Sequence, residues 1–351
     1  MASLYLNQVA PSPAWLSPAL TVVKSAGLDQ DPGTPVLDVD PAAPSTESQQ
    51  IRAVAGNDGT PAATFQGVRV QLWALAFATA TASSLYLGSM GGTRGITIPA
   101  GGATPIDIGP GQQQPFTRDW DATYGLTSTE PEIVSHFVNG EVHCCIYGNV
   151  YHPNDAASAS IPDVPTGPGP LLNVAGNRHH AQRNMTIKMH DAADSMTFHM
   201  FAANPDPERD QVFMLQIAEL VPRKLEGWEL YELDALGPWI RRTRETPGDG
   251  IPGIEIVIDG KTYPVRIARE PLEDLEMDVR DAGSARELKV ELGADEARRM
   301  QLNASIPDEE FVLRILDVTQ TQDDRTVGGA RVMVMTVPEE LRNPPRERDY
   351  R

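Results

Sequence analysis

FQGVRVQLWALAF, residues 65–77, is the stretch on which the fold turns. Val68, Val70, Leu72 and Ala74 share one parity, and Arg69, Gln71 and Trp73 share the other. Successive side chains of a strand point to opposite faces, so this alternation predicts a half-buried strand with a large aromatic on its second face. The same period of two returns in HFVNGEVHCCIYGNVYHP (136–153) and DQVFMLQIAEL (210–220). RNMTIKMHDAADSMTFHMFAANP (183–205) reads as two strands around an Asp-Ala-Ala-Asp turn, and Ile96–Ile98 and Ile106–Ile108 are short strand candidates.

Further along, IPGIEIVIDGKTYPVRI (251–267) predicts a strand, an Asp-Gly hairpin and a strand. LEMDVRD (275–281), ELKVEL (287–292), FVLRILDVTQ (311–320) and GGARVMVMTV (328–337) alternate as well. GADEARRMQL (293–302) is either one helical turn or a turn leading into a strand. With 29 glycines and 30 prolines, the composition favours short elements joined by turns. The fold class expected is therefore all-β.

A chain of 351 residues suggests two domains. They are expected at 1–222 and 250–351. KLEGWELYELDALGPWIRRTRETPGDG (223–249) is charged and carries two tryptophans, which marks a connector, helical over about 226–236. The tail NPPRERDYR is expected to fray.

The formal charge of −19 repels phosphate backbones and anionic lipid surfaces. Nucleic acid is excluded as a partner, and cationic partners or divalent metals would suit the surface. No window approaches the ~18 consecutive apolar residues of a membrane span, so membrane insertion is not expected. MASLYLNQVAPSPAWLSPAL has neither a basic n-region nor an unbroken apolar h-region. The expectation is a cytoplasmic protein, or one exported without a Sec signal. Cys144 and Cys145 are neighbours on opposite faces of one strand, which argues against a disulfide framework.

The histidines pose the main chemical question. GNRHHAQRNMTI (176–187) sets His179 and His180 at the head of a strand, and His143 shares a strand parity with Cys145. If His143, His179 and His180 converge they could hold a transition metal such as zinc, although His-Glu-x-x-His and Cys-x-x-Cys are both absent. The other reading makes the pair a polar strand lip. Calcium is a second option, through DQDPGTPVLDVD (29–40) or NPDPERD (204–210), neither of which matches an EF-hand. GSMGGTRG (88–95) contains Arg94 but lacks the Lys-Ser/Thr ending of a phosphate-binding loop, and Gly-x-Ser-x-Gly does not occur. Trp15, Trp120 and Tyr124 are candidates for an aromatic platform for peptide or glycan, or for core residues.

A family resemblance sharpens the fold. PSPAWLSPAL, VRVQLWALA, HFVNGEVHCCIYGNVYHPND, NRHHAQRNMTI and TFHMFAANP with VFMLQI resemble the CARDB-like (cell-adhesion-related) immunoglobulin-like modules of bacteria. ELKVELGADEARRMQLNASIP and VLRILDVTQTQDDRTVGGARVMV look like a second bacterial immunoglobulin-like module. The resemblance implies two immunoglobulin-like sandwiches and a non-catalytic role as a structural or protein-interaction module of a larger assembly, with no cofactor. Because loops at sandwich ends provide the variable surface, protein contact or self-assembly is expected in the loops 88–131 and 153–178, with Trp15, Trp120, Tyr124 and Arg94 as the interaction candidates. A carbohydrate-binding module and a metal-dependent hydrolase stand as the alternatives.

Overall fold

The computed structural model describes residues 4–6, 15–17, 19–24, 30–31, 36–37, 39–40, 43–44, 49–59, 63–76, 78–80, 86–89, 106–120, 142–155, 174, 177–191, 195–220, 240–243, 253–258 and 261–338. Among them every regular element is a strand. In chain order these are β1 (Leu4–Tyr5), β2 (Leu20–Lys24), β3 (Gln30–Asp31), β4 (Val36–Leu37), β5 (Val39–Asp40), β6 (Ala43–Pro44), β7 (Gln49–Asn57) and β8 (Phe65–Ala76). There follow β9 (Tyr86–Ser89), β10 (Ile106–Ile108), β11 (Gln113–Trp120), β12 (Val142–Tyr151), β13 (His180–Arg183), β14 (Met185–Asp191), β15 (Ser195–Ala203) and β16 (Gln211–Leu220). The last are β17 (Ile240–Thr243), β18 (Gly253–Ile258), β19 (Lys261–Ile267), β20 (Glu276–Val279), β21 (Gly283–Ala285), β22 (Glu287–Leu292), β23 (Ala297–Ser305), β24 (Val312–Gln322) and β25 (Arg325–Val337).

The first half is β-sandwich-like. One sheet is built around β7, flanked by β11 on one edge and by β1 and β2 on the other. The second is built around β8 and β12, with β10 and β13 outside them. Parity does the sorting. Val68, Val70 and Leu72 point inward, and a side chain on Gly148 would meet Leu6, just past β1, and Leu20 of β2 at 3.0–3.2 Å. Gly67, at φ +71°, forms a bulge where the β8–β10 register shifts, so Phe65 and Val68 are both buried although their parities differ.

The second half is also sandwich-like. Its large sheet runs β14-β25-β24, and β24 then splits its other edge between two neighbours. β16 pairs with it over Ile315–Thr321, whereas β19 runs parallel at Val312 and Leu313. The smaller sheet is β15-β23-β20-β21. Phe213, Leu215 and Ile217 of β16 face inward beside Leu316 and Val318 of β24 and Ala330, Val332 and Val334 of β25. Of the two apolar parities in β16, the Phe213 set forms the core and Val212 lies on the surface.

Sheet membership changes at Asn184 rather than at residue 222, where the sequence placed the end of its first domain. β14, β15 and β16 belong to sheets completed by β22 to β25. The two strands read around Asp-Ala-Ala-Asp enter opposite sheets. Buried apolar residues from both halves form one contiguous cluster. The expected helix at 226–236 and the strand at 96–98 lie outside the described residues, but 240–243, also inside the expected connector, is strand β17. Residues 293–302 are a turn leading into β23. No helix among the described residues is long and apolar enough to cross a membrane.

Candidate functional site

His179 is structural. It is 1% exposed, and its Nε2 lies 2.9 Å from Asp155 Oδ2. The same carboxylate oxygen accepts the Leu4 N–H at 2.7 Å. Asn177 turns the chain by accepting the His179 N–H, and the His179 carbonyl accepts the Val150 N–H. Three distant segments are thereby clamped: β1, the turn after β12 and the lead-in to β13. Such a buried carboxylate is stable only because polar partners replace its lost water. His152, on the same turn, bonds the Gln66 carbonyl through Nε2 and accepts the Asn154 N–H at Nδ1, with its ring edge-on to Phe65.

Both histidines of the pair are buried, at 1% and 2% exposure, so they do not form the polar lip expected at a strand head. His180 lies opposite Asn149 in the β12–β13 ladder, and its Nε2 is 3.4 Å from Asn177 Nδ2. His143 sits six residues further back along β12, which at ~3.3 Å per residue is about 20 Å away. His143, His179 and His180 therefore do not converge. No group of three or more His, Cys, Asp or Glu suited to a metal occurs among the described residues. The NPDPERD loop uses its acids for its own turn. Asp206 accepts from the Glu208 and Arg209 N–H groups and from Gln211 Nε2, and Asp210 accepts from the Ala294 N–H.

Trp15 is core rather than platform, at 7% exposure. Its indole lies so close to Gly329 that a Cβ there would fall 2.5–2.8 Å from three ring carbons. Trp120 ends β11 opposite Gln49, with its side chain outside the described set. Arg94, Tyr124 and most of the 29–40 loop lie outside the described residues.

Trp15 belongs to a junction where the halves meet, and Asn184 is its centre. This residue is fully buried, and each of its polar groups is used. Its N–H donates to the Trp15 carbonyl at 2.9 Å, and its carbonyl accepts the Arg331 N–H at 3.0 Å. Its Nδ2 donates to the carbonyls of Ala78 and Gly329, and Oδ1 accepts from Cys145 Sγ at 2.7 Å. Beside it the Thr79 N–H donates to the Phe201 carbonyl, and Gln320 Nε2 donates to the Ala203 carbonyl. Gly328 leaves no room for a side chain against the Thr79 carbonyl. Burial pushes the Cys145 thiol far above its ordinary range, outweighing its bond to Ala78. The thiol is thus inert packing, not a nucleophile.

A cleft that the sequence reading did not name opens at the end of the second sandwich, where β16 and β19 diverge from β24. It encloses about 820 Å³. Leu272, Ile306 and Val312 give it an apolar floor, each at most 3% exposed. Arg314 sits at the fork. It shares the inward parity of Leu316 and Val318, and it meets Glu219, the last inward residue of β16. Nη1 lies 2.8 Å from Glu219 Oε1 and donates to the Glu270 carbonyl at 3.0 Å. The other Glu219 oxygen accepts the Leu272 N–H at 2.7 Å, so the ion pair also holds one wall. The opposite wall is fastened by Asp274, which accepts the Ser305 N–H and hydroxyl. Those bonds hold the Asp274 carboxyl below the usual carboxylate range. Phe311, at φ +56°, turns the chain into β24 and stacks on Tyr263 at 5.0 Å. A bulky residue in that region of backbone space is uncommon.

No family model matches the chain, and no curated protein matches it. Among solved structures, red sea bream transglutaminase aligns at 9% identity and a TM-score of 0.20 over 91% of this chain. The chain spans 31% of that protein's length. CfaE, the adhesive subunit of the CFA/I fimbria of enterotoxigenic Escherichia coli, aligns at 8% identity and a TM-score of 0.19, covering 96% of this chain and 94% of its own. Likenesses this low carry no argument about fold or function.

Proposed function

We propose that the chain is a non-catalytic interaction module, a rigid component of a larger protein assembly, built from two immunoglobulin-like sandwiches of which the first is CARDB-like. The observation that carries this reading is the junction at Asn184, a buried residue with every polar group paired across the two halves. The polar groups most suggestive of chemistry in the sequence, His179 and Cys145 among them, are committed to holding strands together. Such an interior favours a fixed shape that presents loops and strand ends to a partner. The immunoglobulin-like reading of the second sandwich is supported by β14, β15 and β16 alternating between facing sheets and by the parallel pairing of β14 with β25. Function still belongs to sites rather than folds, so it must be tested as binding.

The test is native mass spectrometry of the tagged full chain purified gently from its own host. The expected result is a complex of fixed stoichiometry, with another protein or with further copies of the chain. A monomer carrying stoichiometric metal, or one that binds glycans, would overturn the proposal in favour of the hydrolase or carbohydrate alternative.

A further inference from the structure

The cleft at the β16–β19 fork presents a donor edge that no protein group among the described residues occupies. Arg314 is 5% exposed, yet both of its bonds run through Nη1. Its Nη2 and Nε, which carry three N–H donors, have no partner among the described residues, and the residue lines the cleft. That donor edge is open to the cleft, where water or an entering acceptor can take it. The volume, about 820 Å³, falls in the ~300–1,000 Å³ range of ligand sites.

The charges around that edge indicate which acceptor fits. Glu219 at 2.8 Å already balances Arg314. At the rim Arg266 faces Glu309 at 3.9 Å, while Glu270 and Glu273 are exposed. The lining carries four carboxylates against three arginines, Arg266, Arg269 and Arg314, with Glu219 behind Arg314, so a second carboxylate or a phosphate would still meet net negative charge on a chain of charge −19. A neutral carbonyl meets no such repulsion, and a cation beside it gains from the rim.

We propose that this cleft, in the interaction module inferred above, docks a peptide segment of a partner protein. A main-chain carbonyl of the segment accepts from Arg314, an apolar side chain rests on Leu272, Ile306 and Val312, and a neighbouring Lys or Arg meets Glu270 and Glu273. The proposal rests on the interaction-module reading and goes beyond it by fixing the place and the chemistry of the contact.

The test is to pan a random 12-residue peptide phage library on the immobilised full chain, then measure the enriched peptides by fluorescence anisotropy. Enrichment of peptides pairing an apolar residue with Lys or Arg is expected. Affinity should fall roughly tenfold in the Glu270→Gln/Glu273→Gln variant, whose changes are exposed and leave folding intact. Arg314→Gln/Glu219→Gln, which removes both buried charges together, should abolish binding while circular dichroism confirms the fold. No enrichment, enrichment of acidic peptides, or binding indifferent to the exposed variant would overturn the proposal. The native complex separates the two claims. If it survives in the exposed variant undiminished, the cleft assignment fails and the interaction reading stands. If no complex exists in the wild type, the interaction reading itself fails.

Discussion

Replacing Asn184 by alanine removes three side-chain hydrogen bonds from a fully buried site, two donated by Nδ2 and one accepted by Oδ1. A protein hydrogen bond is worth a net ~1 kcal/mol, and a buried group left without its partner costs about 1–3 kcal/mol. The carbonyls of Ala78 and Gly329 both lose a donor. The backbone bonds to Trp15 and Arg331 survive, because alanine keeps its own N–H and C=O. The expected loss is about 3–5 kcal/mol, at the upper end for a single substitution. Urea unfolding followed by tryptophan fluorescence should show it. With a slope of about 3 kcal/mol per molar, the midpoint should fall by ~1 M or more. Asn303→Ala, which breaks only a surface bond to Thr197, is the control and should move the midpoint little. A loss at Asn184 no larger than the control's would refute the reasoning, since the junction bonds would then contribute nothing net.

Further consequences follow from the same contacts. Asp155→Ala should cost about 3–5 kcal/mol by orphaning His179, and should speed amide exchange at Leu4, whose N–H donates to that carboxylate. Gly329→Ala should destabilise by about 1–3 kcal/mol through overpacking against Trp15, read by thermal unfolding. The Cys145 thiol is pushed up from an ordinary value of 9.0, so the unfolded chain releases its proton first. Stability should be full below pH 9 and should decline as pH rises above it, with a slope of ~1.4 kcal/mol per pH unit from this group, and Cys145→Ala should remove that share of the limb while buried Tyr147, pushed up from 10.0, keeps the share above pH 10. Elemental mass spectrometry should find no metal that is lost on changing His179 and His180 together to alanine, because the two rings serve different partners.

Much of the strand content was legible because burial imposes a period of two. The alternations at 65–77, 210–220, 287–292 and 311–320 each became a strand. Sheet assignment was not legible, since β14 and β15 are neighbours in sequence yet enter different sheets, and only long-range pairing with β25 and β23 decides that. The histidine pair was ambiguous for a related reason. Asp155, which fixes His179, lies 24 positions away, and no local spacing connects them. The cleft did leave a trace. Arg314 interrupts the apolar parity of Val312, Leu316 and Val318, and Glu219 ends that of Phe213, Leu215 and Ile217. A lone charge of opposite sign near the end of each of two inward faces signals a pair at the open end of a sandwich, although their adjacency depends on the β16–β24 register.

The central claim is that Asn184 and its neighbours fuse the two halves into one cooperative unit with a continuous core. Native-state hydrogen exchange of the intact chain in increasing urea tests it most directly. Amides of β8 and β12 in the first half and of β16 and β24 in the second should converge on one opening free energy and one denaturant slope. If the β8 and β12 amides instead open several kcal/mol below those of β24, the halves unfold separately and the account of the junction is wrong.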